Sequence, residues 1–138
     1  MKKNYFILIL MFVWLLKGFS ALCFSQEEVS ESPVSIEDAV LCRDVVDRIP
    51  VEPGDVFTND MEKIYCFTRV VGAAEPTEIR HNWYFGEDMV ASVVLPVRSA
   101  NWRTFSSKTL IPEYTGEWRV EVLSQEGDLL KKIIFMIK

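Results

Sequence analysis

From Glu37 onward apolar and polar residues alternate in short runs separated by turn residues, the period of half-buried strands rather than helices. The clearest case is at the C-terminal end. Trp118, Val120 and Val122 alternate with Arg119 and Glu121, Gln125, Glu126, Gly127 and Asp128 turn the chain, and Ile133, Phe135 and Ile137 resume the alternation. This pattern predicts a hairpin. The same reading places strands at 38–46, 63–71, 77–85, 88–97, 102–110, 117–124 and 129–137, and a second tight hairpin turning at Arg98, Ser99, Ala100 and Asn101. The connection from Arg48 to Glu62 carries Pro50, Pro53 and Gly54 among carboxylates, so it reads as a loop crossing between sheets, never as a central strand. Seven strands spaced by turns predict an all-β fold, a single antiparallel β-sandwich of the immunoglobulin-like kind over 37–138.

Two segments precede this domain. Lys2 and Lys3 stand before the apolar run from Phe6 to Leu16, and small residues follow at Ala21, Cys23 and Ser25, so residues 1–25 read as an export signal peptide. Eleven apolar residues are fewer than the roughly 20 that span a bilayer. Two alternatives are an uncleaved N-terminal membrane anchor over Phe6 to Ser25 and lipid attachment at Cys23, the latter disfavoured by bulky Leu22 before the cysteine. The stretch 26–36, QEEVSESPVSI, lacks aromatic residues and reads as a flexible acidic linker. The expected location is therefore periplasmic or secreted.

Composition narrows the function classes. Without residues 1–25 the chain holds 12 Lys and Arg against 20 Asp and Glu, a net charge of −8 that repels phosphate backbones and excludes a general nucleic-acid binder. Cys42 and Cys66 are the two cysteines left, which in an exported chain reads equally as a disulfide closing about 24 residues or as two buried thiols. Two cysteines and one histidine fall short of a structural zinc site. The carboxylates Asp44, Asp47, Glu52, Asp55 and Asp60 match no calcium-loop spacing, so they read as a solvated loop. No metal and no cofactor is expected.

His81, the single histidine, shares a strand face with Ile79, Trp83 and Phe85, which makes it a hydrogen-bonded core residue in preference to a general base. No nucleophile elbow, metal-binding helix or phosphate loop occurs, so the chain carries no catalytic signature. A serine, histidine and acid meeting in space would leave none. The most unusual chemistry lies in RSANWRTFSSK, residues 98–108, where Arg98, Arg103 and Lys108 surround Trp102 without a carboxylate. An exposed tryptophan beside cations suits a sugar ring or a planar anionic ligand. Trp102, Arg98, Arg103 and Lys108 are accordingly the candidate ligand-binding residues, although alternation sets Trp102 and Arg103 on opposite faces. Trp83 and Trp118 are the expected core anchors.

The ordered segments AVLCRDVVDRIPVEPGDVF, YCFTRV, IRHNWYF, WRTFSSK and GEWRVEVLSQEGDLL resemble the bacterial family catalogued as domain of unknown function 2914, over about residues 38–138. The resemblance implies a compact, mostly β domain of envelope and membrane-associated bacterial proteins. It implies no catalytic residue. The expected function is a non-enzymatic binding or accessory domain whose partner is an envelope protein or glycan. The alternatives are a structural or assembly subunit of an envelope complex, and a hydrolase using His81.

Overall fold

The computed structural model describes residues 33–138. The stretch read as a signal peptide, 1–25, and residues 26–32 of the stretch read as a linker lie outside the described residues. What is described is all-β, with no helix and nine strands: β1 (Ser35–Val46), β2 (Ile49–Gly54), β3 (Val56–Phe57), β4 (Lys63–Val71), β5 (Thr77–Phe85), β6 (Asp88–Val97), β7 (Asn101–Thr109), β8 (Gly116–Ser124) and β9 (Leu129–Ile137). They form a four-stranded sheet in the order β2-β1-β4-β7 and a five-stranded sheet in the order β3-β9-β8-β5-β6.

Alternation explains the seven long strands. Ile64, Cys66 and Val70 of β4 point inward with Ile79 and Trp83 of β5, Trp118, Val120 and Val122 of β8, and Phe135 and Ile137 of β9. One interior is therefore built from both sheets. Its centre is aromatic: Phe135 stacks on Trp118 at 5.9 Å and meets the edges of Trp83 at 6.2 Å and Phe57 at 6.5 Å. Trp83 and Trp118 are fully buried, and Trp118 Nε1 donates to the Tyr114 carbonyl at 2.9 Å, which satisfies its one polar atom. The predicted last hairpin forms, with Trp118 opposite Phe135 and Val120 opposite Ile133.

Three expectations change. The segment read as a loop from Arg48 does cross between the sheets, but it holds two strands on the way. β2 is the outer edge of one sheet, pairing with β1, and β3 is the outer edge of the other, pairing in parallel with β9. Proline is tolerated at Pro50 and Pro53 because an edge strand needs hydrogen bonds on one side only. The turn at Arg98 to Asn101 is not a hairpin, since β6 and β7 belong to different sheets and the turn carries the chain from one to the other. β1 begins at Ser35, inside the stretch read as linker, where Ser35 and Ile36 pair with Val71 and Val70 and Val34 is buried.

The register also bears on the cysteines. Leu41 lies opposite Cys66 and Cys42 lies opposite Tyr65. Directly opposed residues share a face, so Cys66 points into the core beside Leu41 while Cys42 points to the outward face. Both are free, buried thiols. The register turns their Cβ vectors apart, and a bridge between them would need the β1–β4 pairing to slip by one residue.

Candidate functional site

The candidate binding residues sit on β7, and the structure divides them. Along β7, Ser106 is buried and Trp102, Thr104 and Lys108 are half-buried, whereas Arg103, Phe105 and Ser107 are exposed on the other face. Trp102 packs against the rim of the core, opposite Val70. Lys108 is six positions further on, about 20 Å along an extended strand, where its ammonium lies 5.3 Å from the Tyr114 ring centre. Lys108 therefore does not join Trp102. Arg98 is exposed in the turn before β7, and among the described residues its guanidinium is not set over the Trp102 ring.

The cation that does meet Trp102 is Arg48, a residue that sequence reasoning left in the loop. Its guanidinium lies 5.2 Å from the centre of the Trp102 ring, and its carbonyl accepts a hydrogen bond from Arg103 Nη1 at 3.4 Å. The tip of the β1–β2 hairpin thus touches two neighbours whose side chains leave β7 on opposite faces. Cys42 opposite Tyr65 is the last β1–β4 pair, whereas Trp102 lies at the far end of β4. To bring Arg48 there, the hairpin bends back across the outward face of its own sheet. The bend ends in a two-residue turn at Asp47 and Arg48, both with positive φ (51° and 61°), between the paired Val46 and Ile49. Asn-Gly or Asp-Gly normally fills such a turn, because an arginine Cβ crowds the backbone there.

Charge around the tip is uneven. Arg69, opposite Arg103 in register, is held by Glu37 at 3.3 Å and by the Asn101 side-chain oxygen at 2.9 Å. Among the described residues neither Arg48 nor Arg103 has a carboxylate partner. The result is an aromatic ring with one guanidinium over it, and a second guanidinium that reaches the backbone of the same turn from the other face of β7, both with N–H donors to spare. Such a group can hold a carboxylate, sulfate or phosphate.

The acidic residues do not converge. Asp44 accepts from the Val45 amide, Glu52 pairs with Arg43, and Asp60 accepts from the Thr58 hydroxyl. Among the described residues no three His, Cys, Asp or Glu side chains are grouped as a metal ion would need.

His81 is buried between the sheets in a polar network. Trp83 Nε1 donates to Ser106 Oγ at 3.1 Å, Ser106 Oγ lies 2.6 Å from His81 Nδ1, and His81 Nε2 lies 3.2 Å from Thr68 Oγ1. Ser106 accepts from the indole and shares a second hydrogen bond with Nδ1, so one ring nitrogen is bonded to a serine and the other to a threonine, each hydroxyl being able to serve either tautomer. Burial draws the His81 pKa down to about 4. A serine and a histidine at this distance look like a nucleophile and its base. Here, however, a threonine stands where a carboxylate would orient the ring, and all four groups are buried. The network ties β4 and β7 of one sheet to β5 of the other.

The family model for a protein of unknown function, DUF2914, matches residues 76–137. That span runs from β5 to the end of β9 and includes Trp83, Trp102, Arg103 and Trp118. It leaves out β1 to β4, and so Arg48. No curated protein matches the chain.

Proposed function

Because residues 76–137 belong to the DUF2914 family, whose description assigns no activity, we propose from the geometry that this is a non-enzymatic binding or accessory domain. In this reading it is exported to the periplasm or the cell exterior and recognises an anionic group on an envelope glycan or protein. The reading takes the fold as an immunoglobulin-like sandwich. Strands β1-β4-β7 facing β9-β8-β5-β6, with the short β3 parallel to β9, support that assignment.

The observation that carries the proposal is Arg48 set over Trp102 by a turn with two non-glycine residues at positive φ. Positive φ at both central residues is what a two-residue hairpin turn demands, so the turn fixes where the Arg48 guanidinium is presented. The hydrolase alternative loses ground, because His81 is sealed from solvent with both ring nitrogens occupied.

The test is a titration with acidic oligosaccharides and acidic peptides, followed by tryptophan fluorescence at two salt concentrations. Binding should weaken with salt and drop at least tenfold in Arg48→Ala, Arg103→Ala and Trp102→Ala variants that still fold. Undiminished binding by all three would overturn the proposal.

A further inference from the structure

The strand that carries Trp102 and Arg103 is also the outer edge of its sheet. Its register with β4 runs without a break from Asn101 opposite Val71 to Thr109 opposite Lys63. Just beyond the two ends, the Gly72 amide donates to the Ala100 carbonyl and the Leu110 amide to the Glu62 carbonyl, both at 2.9 Å. Bonded and unbonded pairs alternate along an antiparallel ladder, so Trp102, Thr104, Ser106 and Lys108 turn their N–H and C=O groups to β4. Arg103, Phe105 and Ser107 turn theirs away. Among the described residues no strand lies on that side, and these main-chain groups have no hydrogen-bond partner. Such a row of donors and acceptors is what an extended peptide pairs with when it adds to a sheet.

The side chains say which peptide. Residues 98–109, RSANWRTFSSKT, hold Arg98, Arg103 and Lys108 and no carboxylate, and among the described residues none of the three has an ion-pair partner. On an added antiparallel strand, the residue directly opposite Arg103 shares its outward face. An Asp or Glu there meets the guanidinium, and the next side chain on that face lies along Phe105, which is 41% exposed. The alternate side chains turn toward the half-buried Trp102 and Thr104, where apolar residues fit. A second copy of β7 is a poor occupant, because it brings no carboxylate and sets like charges together. A glycan can meet the guanidinium groups but lacks the repeating N–H and C=O of a strand.

We infer that β7 is a peptide-docking edge, on which an acidic segment of a partner protein adds antiparallel as a fifth strand of the four-stranded sheet, with a carboxylate on Arg103. This rests on the reading of Arg48 and Arg103 as an anion site, and narrows the ligand from any anionic group to a polypeptide.

The probe is a capped heptapeptide alternating Glu and Val, titrated into the full chain and followed by tryptophan fluorescence. Antiparallel pairing brings the main chain of its glutamates, not of its valines, to β7. N-methylation of every Glu should therefore weaken binding about tenfold, whereas N-methylation of every Val should leave Kd within about threefold. Ser107→Pro removes one outward N–H and no bond to β4. That variant should melt with the parent and bind the peptide about tenfold more weakly. A peptide bound equally well with its glutamates or its valines methylated would overturn the inference and leave the anion site standing. An acidic oligosaccharide that binds where the peptide does not would have the same meaning. Binding of neither ligand would remove the anion site as well.

Discussion

Arg48 and Trp102 stand at opposite ends of the β1–β4 pairing, yet the guanidinium rests 5.2 Å from the centre of the indole ring. The contact exists because the β1–β2 hairpin bends back over its sheet, and its two-residue turn holds Arg48 at positive φ. Two effects of similar size therefore oppose each other at Arg48. A glycine would relieve the left-handed backbone, worth about 1 kcal/mol, and forfeit a cation–π contact worth about 0.5–1 kcal/mol. Arg48→Gly should melt within about 1 kcal/mol of the parent while its tryptophan emission shifts. A large loss of stability in thermal or urea unfolding would show that the arginine holds the hairpin down.

His81 makes the fold sensitive to acid. Its folded pKa is drawn from 6.5 to about 4 by burial, and the residues facing it, Thr68, Ser106, Val93 and Val122, carry no charge. The unfolded chain thus takes up this proton first. The stabilisation is complete above about pH 6.5 and falls by about 3 kcal/mol as pH drops to 4. Urea unfolding at pH 7 and pH 4 measures the fall, and His81→Gln should remove that component of the slope.

The two thiols should behave as separate buried groups. Burial pushes Cys42 up to about 11 and Cys66 higher still, so neither supplies thiolate at neutral pH. Native protein should resist iodoacetamide, and protein denatured without reductant should gain one alkyl group on each of Cys42 and Cys66 by intact mass. An unreacted pair that becomes reactive only after reduction would mean a bridge and a shifted β1–β4 register.

Trp83→Ala and Trp118→Ala should each cost about 3–5 kcal/mol, since both rings meet Phe135 in the fully buried centre. Denaturant midpoints give the figure directly. Either variant melting with the parent would contradict the packing described here.

The long strands and their inward faces were legible because alternation is local: Trp118, Val120 and Val122 declare their face within five residues. β2 and β3 were not, because a proline-bearing edge and a two-residue strand exist only by pairing with β1 and β9. The cysteines were ambiguous for a similar reason. Whether Cys42 and Cys66 share a face depends on a one-residue offset between strands far apart in sequence. At the candidate site Trp102 and Arg103 stood out by composition. Arg48 carried no signal, since Asp-Arg is not a usual pair for its turn and its partner lies across the sheet.

The last strand, β9, does not close an edge but lies between β8 and β3. Synthesis runs from the other end, so Val56 and Phe57 have no place to pair until Met136 and Ile137, some eighty residues later in the chain, are present. The five-stranded sheet is thus unavailable to a nascent chain, however long it pauses. Loss of residues 129–138 removes an interior strand and Phe135 with it, leaving Val120 and Trp118 open to water, so a chain broken off before β9 should be as damaged as one broken off in the middle of the domain.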